Sequence, residues 1–155
     1  MAGLIDQKLT ALGLSLPTPA APIANYVGYV VTPGFVTLSG QLPVVDGTVA
    51  IVGTLGDTLT VEEGQRAARI CFLNVLAQLK AACAGDLDRV TRIVHLRGFV
   101  ASTPSFAQHA LVMNGASDLA VAVFGEAGRH ARSTVGVVSL PAGAAVEVEA
   151  VAQIA

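Results

Sequence analysis

Three histidines, two cysteines and a few charged side chains set among apolar segments are the groups of this chain that could do chemistry. His95, His109 and His130 stand at no HxxxH or HExxH spacing and no CxxC accompanies them, so a metal is not expected. Cys71 and Cys83 fall in what reads as one helix, about 18 Å apart at 1.5 Å per residue, far outside disulfide range, and read as core thiols. The absence of GxSxG, GxGxxG and a phosphate loop removes the nucleophile elbow and the common nucleotide cradles. What remains is Arg132, at the opening of a strand, with Glu147 and Glu149 at i and i+2 in the last strand and so on one face. Pro141-Ala142-Gly143 reads as a hairpin turn, which makes those two strands antiparallel neighbours and turns the carboxylates toward the start of the arginine's strand. Such a group is either a structural ion pair or a site that binds a carboxylate and steers a water. Spacing alone leaves both open.

Those side chains need a scaffold, and the sequence punctuates one. Residues 4–14 read as a short amphipathic helix appended to the rest, followed by an extended connector through Pro17, Pro19 and Pro22. Strands are expected over 26–32 and 35–40 around the Pro33-Gly34 turn, with a third over 48–52. Thr60 with Glu63 forms a capping box that starts a helix closed by Gly85. A strand over 90–100 should alternate, with Ile93, His95, Arg97 and Phe99 on one face and Val94, Leu96, Gly98 and Val100 on the other. A second helix should run from Phe106 to about Phe124, with Gly115 marking a break. Strands over 133–140 and 145–154 complete an α+β domain whose two helices pack on one face of a single sheet.

Composition narrows the partners. The chain has 155 residues, 53% hydrophobic and 13% charged, about half the roughly 25% charge usual for a soluble domain. Its net charge of −2, without a Lys/Arg run, gives nothing to hold a phosphate backbone, so nucleic acid is not an expected partner. The longest charge-free stretches, 9–45 and 98–117, are broken by Pro, Gly and polar residues, and no membrane span is expected. The apolar excess points instead to a surface buried in an oligomer. Reduced thiols and an N-terminus without a basic leader point to the cytoplasm.

The stretch Leu38-Ser39-Gly40-Gln41-Leu42-Pro43, the tract Ala131-Arg132-Ser133-Thr134-Val135 and the tail Leu140-Pro141 … Val146-Glu147-Val148-Glu149-Ala150 resemble, in this order, the signature segments of the Rid/YjgF family, the reactive intermediate deaminases also called the endoribonuclease L-PSP family. The resemblance implies a chorismate-mutase-like fold over 17–155, with 1–16 as an N-terminal helical extension. It also implies a homotrimer whose sheets line a central barrel and whose sites lie in clefts between subunits. It makes Arg132 the group that holds the substrate carboxylate and Glu147 the group that activates the hydrolytic water. Tyr26, Ser39, Gly40, Asn114 and Thr134 then contribute to the substrate pocket, with Asn25 where the family has proline and Thr134 where many members carry cysteine. The implied chemistry is hydrolysis of an enamine or imine to a 2-oxo acid and ammonia, without a cofactor. The competing readings are a trimer that binds a small carboxylic acid without turnover, and a ribonuclease or translation inhibitor. Tyr26 could equally be a core or interface aromatic, Ser39 and Gly40 a strand end that needs little bulk, and Glu149 reads as structural.

Overall fold

The computed structural model describes residues 3–22 and 24–155. Met1 and Ala2 of the expected extension, and Ile23 of the connector, lie outside the described residues. The elements are α1 (Leu4–Ala11), β1 (Tyr29–Thr32), β2 (Phe35–Gln41), β3 (Val44–Val45), β4 (Thr48–Val49), α2 (Val61–Ala82), β5 (Val90–Ala101), α3 (His109–Phe124), β6 (Ala131–Val137) and β7 (Val146–Ile154), with single 3-10 turns at Leu87–Arg89, Gly125–Gly128 and Pro141–Gly143. The main sheet has five strands in the order β1-β2-β7-β5-β6. The expected third strand is only β4, paired with β3 in a separate two-stranded ribbon, while Val52 makes an isolated bridge to Ala144.

The sheet order corrects the expected hairpin. β6 and β7 are not neighbours, because β5 lies between them, parallel to β6 and antiparallel to β7. The Pro141–Gly143 segment is a 3-10 turn with Ala142 at φ 55° and Gly143 at φ 70°, and it carries the chain past the end of β5. Ala144 and Ala145 then enter beside Ile51, Val52 and Ala101 before β7 begins. The parallel pair is the product of β5-α3-β6, a crossover through a helix, which is how parallel neighbours are joined.

Both long helices cover one face of this sheet. Val36, Leu38, Leu96, Val100, Val146, Val148, Ala150 and Ala152 point into the core, with Phe72, Val75, Leu76 and Leu79 of α2 and Val112, Met113, Ala116 and Ala120 of α3. Each fully buried aliphatic side chain of this size stabilises by roughly 1.5–3 kcal/mol. The capping box is formed, with Glu63 N donating to Thr60 Oγ1 at 3.2 Å and Thr60 N to Glu63 Oε2 at 2.8 Å. In β5 the expected alternation fails at two points, the first a register shift between Val90 and Arg92. A second, between Ile93 and His95, leaves Val94 as the extra residue, so Ile93 joins Leu96, Gly98 and Val100 on the core face while His95, Arg97 and Phe99 stay outside.

Gly115 does not break α3. A Cβ there would overlap the Gln65 backbone, so the glycine lets α2 and α3 approach closely, and Gln65 Nε2 donates to Leu111 O at 2.9 Å across the same contact. α3 starts at His109 rather than Phe106, because residues 104–108 are turn and coil. His109–Gly128 is long and apolar enough, at mean hydropathy 1.2 over 20 residues, to cross a bilayer by composition. In this fold its apolar face is taken up by α2 and β5.

α1 is tied in more firmly than an appendage. Leu4 N and Ile5 N both donate to the Asp88 carboxylate, at 2.7 and 2.8 Å, which caps the helix from outside. Asp6 pairs with Lys80 at 2.8 Å, and Leu9 belongs to the main core.

Candidate functional site

Arg132 lies on edge strand β6 opposite Leu96, whose side chain is fully buried beneath the helices, so it points to the helix side. There its guanidinium meets one face of α3. Nη1 donates to Asn114 Oδ1 at 2.9 Å and to Ser117 Oγ at 3.1 Å, and Nη2 donates to Ala110 O at 3.2 Å. A guanidinium has five N–H groups, so Nε and one hydrogen of Nη2 are left without an acceptor among the described residues, enough for a two-point contact with a carboxylate. Thr134, two residues on, shares this face, but its Oγ1 is buried with no hydrogen-bond partner.

Ser117 carries the network further. Its Oγ lies 2.9 Å from His130 Nε2, and His130 Nδ1 lies 2.6 Å from Gly128 O. Burial pushes the His130 imidazole below its ordinary value, and Arg132 and His95 push the same way against the Gly128 hydrogen bond. Sequence reading missed Ser117 and His130. The available signal was spacing, since Ala110, Asn114 and Ser117 stand at i, i+4 and i+7 and line one side of a helix.

Glu147 lies elsewhere. On β7 it pairs with Phe99 of β5, alternates with the buried Val146 and Val148, and so faces away from the helices. Its carboxylate rests against Gly40, where any Cβ would overlap it. No described residue hydrogen-bonds to the Glu147 side chain. Burial pushes its carboxyl above the ordinary glutamate value, and Glu149 adds to the rise. Glu149 itself is paired to Arg97 at 2.6 Å, the structural role expected of it.

Tyr26 and Gly40 gather at this same end of the sheet. With Gly28, Gln41, Asn74 and Gln78 they line a cavity of about 180 Å³. Ser39 is a strut, its N donating to Gly28 O at 2.9 Å and its hydroxyl to Val27 O at 2.6 Å, which holds the segment after Tyr26 against β2. Tyr26 lies before β1, in a bend, and is 52% exposed.

The expected residues therefore form two groups. Arg132, Asn114 and Thr134 meet at β6 and α3, while Tyr26, Ser39, Gly40 and Glu147 meet at β2 and β7. In one chain Arg132 and Glu147 are on opposite faces, two strand positions apart, which is roughly 10 Å across the sheet. The expected approach of the carboxylates to the arginine within one hairpin does not occur. Among the described residues no three His, Cys, Asp or Glu side chains are grouped to hold a metal. Cys71 and Cys83 are buried and free, and burial raises both thiols.

A sheet in this order, covered on one face by two helices and carrying an anchored arginine at its parallel edge, defines a single-sheet α+β protein. The chain belongs to the family described as "YjgF/chorismate mutase-like, putative endoribonuclease", which it matches over residues 6–153. It is 53% identical over 154 residues to Protein TCP17 of Trypanosoma cruzi, spanning 99% of this chain and 96% of that one. The structure of Atu1372 from Agrobacterium tumefaciens, a protein of unknown function, is similar at 46% identity and TM-score 0.92, over 97% of this chain and 92% of that one. Escherichia coli TdcF with bound serine is similar at 25% identity and TM-score 0.63, over 89% and 94% of the two chains.

Proposed function

We propose that the protein is an imine deaminase, which hydrolyses 2-aminoacrylate-type intermediates to 2-oxo acids and ammonia in the cytoplasm. We place its site between the subunits of a homotrimer. The guanidinium of Arg132 carries this reading, fixed by three acceptors on α3 with two N–H groups to spare. A planar fork held in this way suits an α-carboxylate. The serine bound by TdcF, itself an α-amino acid, supports a ligand of this class.

In the reaction the carboxylate docks on Arg132 and the imine carbon is left open to water. Glu147, unpaired and raised in basicity by burial, takes a proton as the water oxygen bonds to that carbon. It returns that proton to nitrogen, which gives a carbinolamine; the hydroxyl proton then passes by the same carboxylate to the amine as the C=O forms, the C–N bond breaks, and ammonia leaves the 2-oxo acid. No step requires a cofactor. Because the two groups sit on opposite faces of one chain, a second copy must bring its Glu147 group to the first copy's arginine. The exposed apolar side chains of the helix-free face, Val30, Phe35 and Val135, support burial of that face against other copies. The family's printed description includes endoribonuclease, but 9 basic against 11 acidic side chains offer little to an RNA backbone.

The test generates 2-aminoacrylate in situ and follows its semicarbazone with and without protein. Less imine-derived semicarbazone accumulating with wild type, and no decrease against background with Arg132→Ala, is the expected result. Equal behaviour of the two proteins across several imino acids overturns the proposal. A sedimentation mass near one 15.7 kDa chain overturns the trimer.

A further inference from the structure

We infer that His130 is a positioning residue for Arg132, acting through the Ser117 hydroxyl, and that it does so in its neutral form. The inference rests on the reading of Arg132 as the carboxylate anchor only for its consequence in binding. The relay itself stands on geometry. Gly128 O can only accept, so at 2.6 Å the His130 Nδ1 must carry the proton, and in the neutral ring Nε2 then offers a lone pair. Ser117 Oγ, 2.9 Å from Nε2, donates its hydrogen there and turns its own lone pairs to Arg132 Nη1 at 3.1 Å. Every donor thus points the same way, from arginine to serine to histidine to carbonyl, and no other assignment of the neutral ring satisfies all three links.

Protonation of His130 would reverse the middle link. Nε2–H would then donate to Ser117, the serine hydrogen would lose its acceptor, and a second positive charge would stand one hydroxyl away from the guanidinium. The surroundings oppose that charge. Burial, the largest cause, pushes the ring's pKa down, and the charges of Arg132 on its own strand and of His95 on β5 push the same way. Arg92 of β5 sits nearby, its Nη1 donating to Arg129 O at 2.9 Å. Glu126 and Arg129 on the adjoining turn pair with each other at the surface, at 2.9 Å, and Asp118 on α3 is exposed. No carboxylate pairs with the imidazole to hold a proton on it.

The experiment reads the guanidinium directly, by nitrogen NMR of the Arg132 Nη resonances in wild type, His130→Phe, His130→Gln and Ser117→Ala across pH. A held guanidinium gives separate Nη signals, and a freely rotating one gives an average. Slow exchange between the Nη signals is expected for wild type while His130 is neutral, with faster exchange once it is protonated. Faster exchange is expected at every pH in His130→Phe and Ser117→Ala, where Asn114 and Ala110 O still hold part of the guanidinium. His130→Gln, whose amide can accept from Ser117 without titrating, should keep exchange slow into the acid range. A His130 titration that moves upward in Arg132→Gln is the second expected result. Nη exchange in His130→Phe as slow as in wild type, or an unchanged His130 titration in Arg132→Gln, overturns the relay. A parallel titration with 2-oxobutanoate should show about tenfold weaker binding in His130→Phe, the loss of one charge-assisted hydrogen bond's worth of order. If wild type does not bind 2-oxobutanoate at all, the anchor reading fails while the NMR result still decides the relay.

Discussion

The two halves of the candidate site are built on opposite plans. At β6 and α3 the arginine is engaged by Asn114, Ser117 and Ala110 O, and Ser117 is held in turn by His130. At β2 and β7 the Glu147 carboxylate is half-buried, has no hydrogen-bond partner and lies against a glycine that makes room for it. The first half is complete within one chain and needs only a ligand. The second carries an unmet electrostatic cost, and such a cost persists where function requires it. On the proposed reaction, the difference fits binding to the arginine half and proton transfer to the glutamate half.

Substitutions that strike one half and spare the other test this division. Glu147→Gln should have the largest effect, lowering kcat by about 10²–10⁴-fold, the usual contribution of a general base, with KM little changed. The same substitution should stabilise the fold near neutral pH. The folded-state carboxyl titrates above its unfolded value, so wild-type stability is fully present in acid and falls as pH rises through that raised pKa, whereas glutamine has no such loss. Thermal melts of the two proteins should therefore converge in acid and separate toward neutrality. A variant no more stable at neutral pH than wild type would mean that the carboxylate is better solvated or paired than this geometry allows.

Gly40→Ala should come next. The new methyl group would overlap the Glu147 carboxylate and swing it away without touching the arginine. A fall in kcat with retained 2-oxo acid binding, measured by calorimetry, is the expected outcome. Loss of binding with intact turnover of the remaining complex would reverse the assignment of roles. Arg132→Lys should raise KM by about tenfold or more and leave kcat for bound substrate closer to wild type, because an ammonium keeps the charge but cannot present two fixed N–H groups.

The legible and illegible parts of the sequence divide along physical lines. Local chemistry was readable. The Thr60–Glu63 box, the Pro33-Gly34 turn and the strict alternation of β7 each specify their own element, and all three are formed. Long-range order was not. Pro141-Ala142-Gly143 has the composition of a hairpin turn, yet β5-α3-β6 forms a crossover that puts β6 beside β5, and one turn cannot then pair β6 with β7. The second register shift in β5 is equally silent in sequence, since Val94 is as strand-like as its neighbours. For the same reason Arg132 and Glu147 were recognisable as separate groups, while their placement on opposite faces was not. His130 stayed hidden because its partner Ser117 lies thirteen residues away on another element.

Thr134 is the subtlest difference between the halves, and it turns on one atom. Apart from the two free N–H groups of Arg132 the arginine half is satisfied, yet Thr134 Oγ1 is buried there without a partner among the described residues. An unpaired buried hydroxyl costs about 1–3 kcal/mol, so Thr134→Val, which keeps the branched shape and removes the oxygen, should raise stability by about 1 kcal/mol in chemical denaturation. If the hydroxyl rotates to meet substrate beside Arg132, the same variant should bind 2-oxo acids several-fold more weakly. If only the strand backbone at this position meets substrate, binding should be unchanged. A gain in stability joined to a loss of affinity would mark Thr134 as a buried unsatisfied group that the arginine half holds for its ligand, making the two halves alike in principle and different only in scale. A loss of stability on substitution would mean that the oxygen has found a partner after all, and the contrast between a complete half and an incomplete one would stand without exception.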